Sequence, residues 1–222
     1  ASDLVANDLN RLEDVFIHDR LTGQTERVSI ASSGEEGDAN SIHGVVSPDG
    51  RYVAFGSLAS NFSPGDTNFV QDVYVRDRQA GTTTLATLTP AGVPANRASW
   101  FPDISADGRY VVFQSTASNL FHGDDNDAGD IVLRDRQTDS TMPISVSGAG
   151  DFGNNYSMMP SVSADGRFIV FESLASNLVT GDQNNAYDVF LHDRQTGNTR
   201  LLSISASETQ GNAPSHSAVI NS

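Results

Sequence analysis

"GDTNFVQDVYVRDR" occupies residues 65–78, and variants of it stand at 7–20 ("NDLNRLEDVFIHDR"), 123–136 ("GDDNDAGDIVLRDR") and 181–194 ("GDQNNAYDVFLHDR"). Each copy sets an Asp, an Asn and a second Asp ahead of a run of β-branched, aromatic and aliphatic residues that ends in Asp-Arg. The step between copies is 58 residues without insertion or deletion, kept by Asp14, Asp72, Asp130 and Asp188. Asp49, Asp107 and Asp165 keep it too, as do Ser41, Ser99, Ser157 and Ser215. A fixed period of this kind marks a repeat architecture, in which one supersecondary unit stacks on the next.

Each unit reads as four short strands. The segment before the turn comes first, for example "SWFPDIS" (99–105), and Asp107–Gly108 then makes a hairpin turn, since Gly accepts positive φ. The second strand is "RYVVFQS" (109–115), the third "DIVLRDR" (130–136), and the fourth follows a "QTD" or "QTG" turn, as in 82–88 or 198–204. No segment has a helical period. In the second strand Tyr110 and Val112 alternate with Val111 and Phe113, so both faces are apolar and both must be covered. Radially stacked four-stranded sheets achieve this, whereas a β-solenoid needs shorter repeats.

The expected fold is therefore all-β, a β-propeller of four-stranded antiparallel blades. Residues 1–222 form a single domain, or a fragment of one, with repeats 1–48, 49–106, 107–164 and 165–222, giving three complete blades and a partial one. Ala1 aligns with Ala59 and Ser222 with Ala164, so the blade shared by the two ends lacks its second strand. The expectation is a piece cut from a longer ring; the alternatives are four blades that close on themselves around the gap, or self-association through open strand edges.

The turn-and-strand segments "SPDGRYVAF" (47–55), "SADGRYVVF" (105–113) and "SADGRFIVF" (163–171) resemble the signature of TolB-type, WD40-like propeller repeats over essentially the whole chain. The resemblance implies four-stranded blades around a central channel, in a secreted or periplasmic protein. The Trp that often precedes the signature is replaced by Val46, Ile104 and Val162. Such a likeness transfers the fold and leaves the ligand open.

Composition narrows the partners. The formal net charge is −15, and all 13 basic residues are Arg. So acidic a surface repels nucleic acid and anionic membranes and attracts cations. No apolar run is long enough to span a bilayer, and the absence of Cys leaves no disulfide framework to read.

The repeated loop has two readings. Asp8, Asn10 and Asp14, with Asp66, Asn68 and Asp72, Asp124, Asn126 and Asp130, and Asp182, Asn184 and Asp188, are hard oxygen donors of the kind Ca²⁺ takes in sets of six to eight. Gly65, Gly123 and Gly181, and Asn7 in the first unit, precede them and permit a sharp bend. Equally, Asp and Asn bond to backbone amides two residues on and hold tight turns without metal. The Asp-Arg pairs are open in the same way: Arg20, Arg78, Arg136 and Arg194 suit an anion ring or pairing with Asp on the same or the next blade. His18 and His192 align with Arg76 and Arg134, which reads as a cationic surface slot.

No nucleophile elbow, helical His pair or phosphate-cradling loop occurs. The expected function is a non-catalytic binding or scaffold propeller for a protein, small-molecule or carbohydrate ligand, stabilised by calcium if the loops hold it. The alternatives are a hydrolase or lyase with a channel-face site, or the accessory propeller of a larger secreted enzyme. A specific ligand surface is expected on the least regular segments, the linkers 31–44, 90–101, 147–159 and 205–217.

Overall fold

The computed structural model describes residues 4–6 and 8–220; Ala1, Asn7 and Ser222, which the sequence reading uses, lie outside the described residues. A two-stranded sheet, β1 (Phe16–Asp19) and β2 (Gln24–Arg27), comes first. Three four-stranded antiparallel blades follow. Blade I holds β3 (Ser41–Val46), β4 (Tyr52–Ser57), β5 (Asp72–Asp77) and β6 (Thr82–Leu85). Blade II holds β7 (Ser99–Ile104), β8 (Tyr110–Ser115), β9 (Asp130–Asp135) and β10 (Ser140–Pro143). Blade III holds β11 (Ser157–Val162), β12 (Phe168–Ser173), β13 (Asp188–Asp193) and β14 (Asn198–Leu201). Strands pair in chain order, so every blade is a meander, and no helix occurs among the described residues.

The fourth strands are shorter than the apolar pattern predicts. After Leu85 the Ala86 N–H still reaches Val73 O, but Leu88 N–H then turns back on Ala86 O. The same i→i+2 bond recurs at Ile30, Val146 and Ile204 and lifts the chain off the blade edge.

Every residue of β5, β8 and β9 is buried, as expected of strands apolar on both faces. One face of blade I (Ala54, Val73, Val75) packs on Val111, Phe113 and Leu120 of blade II. The other face of blade II (Val112, Ile131, Leu133) packs on Ile169, Phe171 and Phe190 of blade III. Phe55, Phe62 and Tyr74 of blade I face Val15 and Ala31 of the two-stranded unit. Burying one such aromatic side chain stabilises the fold by roughly 1.5–3 kcal/mol.

At the turn end of each blade a polar lock repeats. Arg51, Arg109 and Arg167 fork onto Asp77, Asp135 and Asp193 with bidentate bonds, at 2.7–3.1 Å in blade I. The Arg51 guanidinium holds the Asp77 carboxyl down at about 2. The Arg of the Asp-Arg pair does something else. Arg136 donates to Gly108 O at 2.6 Å and lies over the Tyr52 ring of the preceding blade, and Arg194 lies over Tyr110, 4.2 Å from the ring centroid. Arg78 reaches back to Glu26 at 2.7 Å. Pairing with Asp is thus left to the Arg after the Gly, while the Asp-Arg arginine clamps neighbouring blades. The expected cationic surface slot also needs correction. Arg76, Arg134 and His192 are buried, held by Thr83, Thr141 and Thr199, and only His18 is exposed.

Gly108 has φ +70°, and a Cβ there would stand only 2.2–2.5 Å from carbons of the Tyr52 ring, whereas Gly81 has the same φ and open space around it. Gly81→Ala should cost about 1–2 kcal/mol from left-handed strain alone. Gly108→Ala should add a further ~1–3 kcal/mol of overpacking, read by urea unfolding. Equal losses would mean that Tyr52 does not pack between the blades.

Candidate functional site

The four Asp/Asn loops share one hydrogen-bond circuit. In the second unit Asn68 Oδ1 accepts the Val70 N–H at 3.1 Å, and Asn68 Nδ2 donates to Asp72 Oδ2 and Ala95 O, both at 2.8 Å. The Thr87 hydroxyl donates to the other oxygen of Asp72. Asn10, Asn126 and Asn184 repeat these bonds with Asp14, Asp130 and Asp188, whose second oxygens accept from Ser29, Ser145 and Ser203. The residue after each Asn (Arg11, Phe69, Asp127, Asn185) is left-handed, with φ between 51° and 61°. Through the Asn amide each loop also ties the linker of its own unit (Gly37, Ala95, Gly153 and Gly211 carbonyls) to the start of the third strand, and Ser29, Thr87, Ser145 and Ser203 keep the 58-residue step, a signal absent from the sequence-based expectation.

Fit to a cation differs from loop to loop. In the first, Arg27 contacts Asp8, Asp14 and Glu36, so a guanidinium stands among the carboxylates. In the fourth, Gln210 Nε2 donates to both Asp182 (2.6 Å) and Asp188 (2.9 Å). In the second, the Tyr74 hydroxyl donates to Asp66, while burial pushes Asp72 up to about 7, against the Thr87 and Asn68 bonds. In the third, the positions of Arg27 and Gln210 are taken by Pro143 and Phe152, which carry no side-chain donor. There burial pushes Asp130 up to about 6 and raises Asp124. Each Asn has its amide oxygen engaged by backbone, leaving two carboxylates per loop, and the first and fourth loops do not suit a metal. Among the described residues no group of three or more His, Asp or Glu is placed to hold one.

A second constellation lies on the innermost strands. β3, β7 and β11 carry a register shift at the same place, between Ile42 and Val45, Trp100 and Asp103, and Met158 and Ser161. The bulged residues His43, Phe101 and Met159, and Ser217 at the matching position of the last unit, are all left-handed, φ 50–63°. All four line one cavity of about 800 Å³ with Val45, Pro102, Pro160 and Val219. Two carboxylates close it. Glu172, 4% exposed, accepts His216 Nδ1 at 2.8 Å and the Ser217 N–H at 2.5 Å. Asp103 accepts the Ser161 hydroxyl and the Val162 N–H, both at 2.9 Å. The linker ends expected to carry specificity are thus brought together here, while their outer parts are not. Glu172 and Asp103 escaped the sequence reading, although each breaks its repeat position, taken elsewhere by Gly56 and Gln114, and by Val45, Ser161 and Val219.

The blades are meanders stacked face to face, with first strands meeting at the inside. The fold is a β-propeller with TolB-like blades. Among solved structures the chain is similar to the tricorn protease (15% identity, TM-score 0.49, 83% of this chain and 16% of that one). It is also similar to TolB from Acinetobacter baumannii (17% identity, TM-score 0.39, 88% and 50%) and to a putative TolB from Agrobacterium tumefaciens (18%, 0.43, 86% and 74%). The chain thus spans half or less of the length of two of the three. No family model and no curated protein sequence matches it.

The raised Asp72 carboxyl has a signed consequence. Its folded value lies above the unfolded ~3.9, so the stability it contributes is full below about pH 4 and is lost as pH rises through about 7. Asp72→Asn keeps the shape and removes the charge. Its melting temperature relative to wild type should climb between about pH 4 and pH 7, in EDTA. A constant difference across that window would show that Asp72 is ionised in the fold without cost.

Proposed function

We propose that this protein is a non-catalytic binding propeller whose ligand site is the cavity on its innermost strands. One observation carries the reading. Positions 43, 101, 159 and 217 share one backbone conformation but hold His, Phe, Met and Ser. The bulge is demanded by the blade, and the side chain on it is not. A left-handed conformation at a bulky residue costs roughly 1–2 kcal/mol, and such positions cluster where a ligand is held. The volume suits a small molecule, and the walls are apolar with a few fixed polar groups, as ligand pockets are. The resemblance to TolB-type repeats supports placing the protein in the periplasm or outside the cell.

A screen of charged and neutral small compounds by ligand-observed NMR tests this reading. Hits should be competitive with one another and vanish in Phe101→Ala/Met159→Ala. Hits that survive in the double variant, or none at millimolar concentration, would remove the cavity as the site.

A second reading, stabilisation by calcium, is favoured by the third loop alone, where burial raises the carboxyls of both Asp124 and Asp130 and the Asp124 charge adds to the rise at Asp130. Millimolar calcium at 100 times the dissociation constant should then add about 2.7 kcal/mol of stability. That gain should be absent in Asp130→Asn and kept in Asp14→Asn. No calcium-dependent shift in thermal melts would leave all four loops as turn locks.

A further inference from the structure

The charges around the inner cavity bear on what it takes. Its lining includes two carboxylates and neither Lys nor Arg. Glu172 is buried, and a carboxylate with one contact to His216 and one to Ser217 N–H keeps acceptor capacity, since the two oxygens offer about four lone-pair sites. Asp103 is fixed by the Ser161 hydroxyl and by backbone N–H groups of Ile104 and Val162, so its position does not depend on a ligand. The remaining walls are apolar or aromatic. Phe101 lies against the His43 ring at 4.9 Å between centroids, and Met158 and Met159 add flexible thioethers. The chain as a whole carries −15, a field that draws cations towards such a cleft.

Resting on the reading of this cavity as the ligand site, we propose that its ligand is a small organic cation. An ammonium head on an apolar body sits with the head towards Glu172 and Asp103 and the body against Phe101, Met159 and Pro160. An anion would bring a like charge beside a buried carboxylate with no Lys or Arg in the lining to offset it. A neutral compound would fill the same volume and offer the carboxylates at most an uncharged donor. An ammonium gains a charge-assisted bond in a site partly shielded from water, and the face of Phe101 is attractive to the same charge.

The probes are phenethylammonium, phenethyl alcohol and 3-phenylpropanoate, titrated into the full chain by calorimetry at about pH 8, where an unperturbed imidazole is neutral. The ammonium should bind about tenfold or more tighter than the alcohol, the size expected for a hydrogen bond to a charged group. The carboxylate should bind weakest. Raising the salt to about 0.5 M should weaken the ammonium alone. Glu172→Gln should remove most of the ammonium's advantage with the alcohol unchanged. Asp103→Asn, which leaves the His216 and Ser217 contacts in place, should lower the preference independently. Ammonium and alcohol binding equally well, both lost in Phe101→Ala/Met159→Ala, would overturn the charge assignment and leave the cavity standing as the site. Tightest binding by 3-phenylpropanoate would overturn it in the same way. No binding by any probe, or binding indifferent to the double variant, would overturn the cation and the cavity together.

Discussion

The packing of one blade on the next is what every other feature depends on. β5, β8 and β9 are buried along their whole length, and no blade can cover both of its own faces. Phe113 and Leu120 need Val73 and Val75 of blade I, and Phe171 and Phe190 need Ile131 and Leu133 of blade II. Stability therefore propagates from neighbour to neighbour, as in other repeat architectures. The constraint also explains why the central strands of the three blades keep one length. A residue added to a central strand would turn its inner set of side chains outward.

Polar groups finish what apolar packing leaves undone, and they do so at opposite ends of each blade. At the turn end, the Arg109–Asp135 fork closes a hairpin, and Arg136 with Gly108 holds Tyr52 of the previous blade. At the loop end, Asn68, Asp72 and Thr87 tie the incoming chain to the third and fourth strands. The loop locks are conserved in geometry across the four units but not in charge. Arg27, Tyr74 and Gln210 are three different answers to the same pair of carboxylates, and the third unit has none from its corresponding positions. Individual repeats have thus diverged where a second side chain reaches the loop, while the shared circuit stays intact.

The innermost strands follow a different logic. Their bulge is a property of the blade, present at His43, Phe101 and Met159, and Ser217 repeats its left-handed backbone. It turns one side chain per unit towards a common space without constraining what that side chain is. A symmetric scaffold obtains an asymmetric site in this way, and Glu172 and Asp103 add polarity from two blades only.

Period, strand order and the antiparallel blade were all legible in the sequence. A 58-residue step combined with two-sided apolar strands such as "RYVVFQS" leaves few other folds, because each strand must be sandwiched. The Asp/Asn loops were legible as loops, since side chains that cap their own backbone act within a few residues. What these carboxylates touch beyond the loop was not. Arg27 lies 13 residues beyond Asp14, and Gln210 lies 22 beyond Asp188, and only the folded chain brings them together. The depth of Arg76, Arg134 and His192 was likewise hidden, because a cationic residue in a strand reads as a surface group until neighbouring hydroxyls are placed around it. The inner cavity depends on tertiary structure most of all. It draws a short stretch from each of four repeats, and the left-handed backbone that aims them has no signature in the residues that occupy it. Local chemistry decides a turn or a strand from the sequence alone; convergence of distant repeats on one axis is decided only when the blades pack.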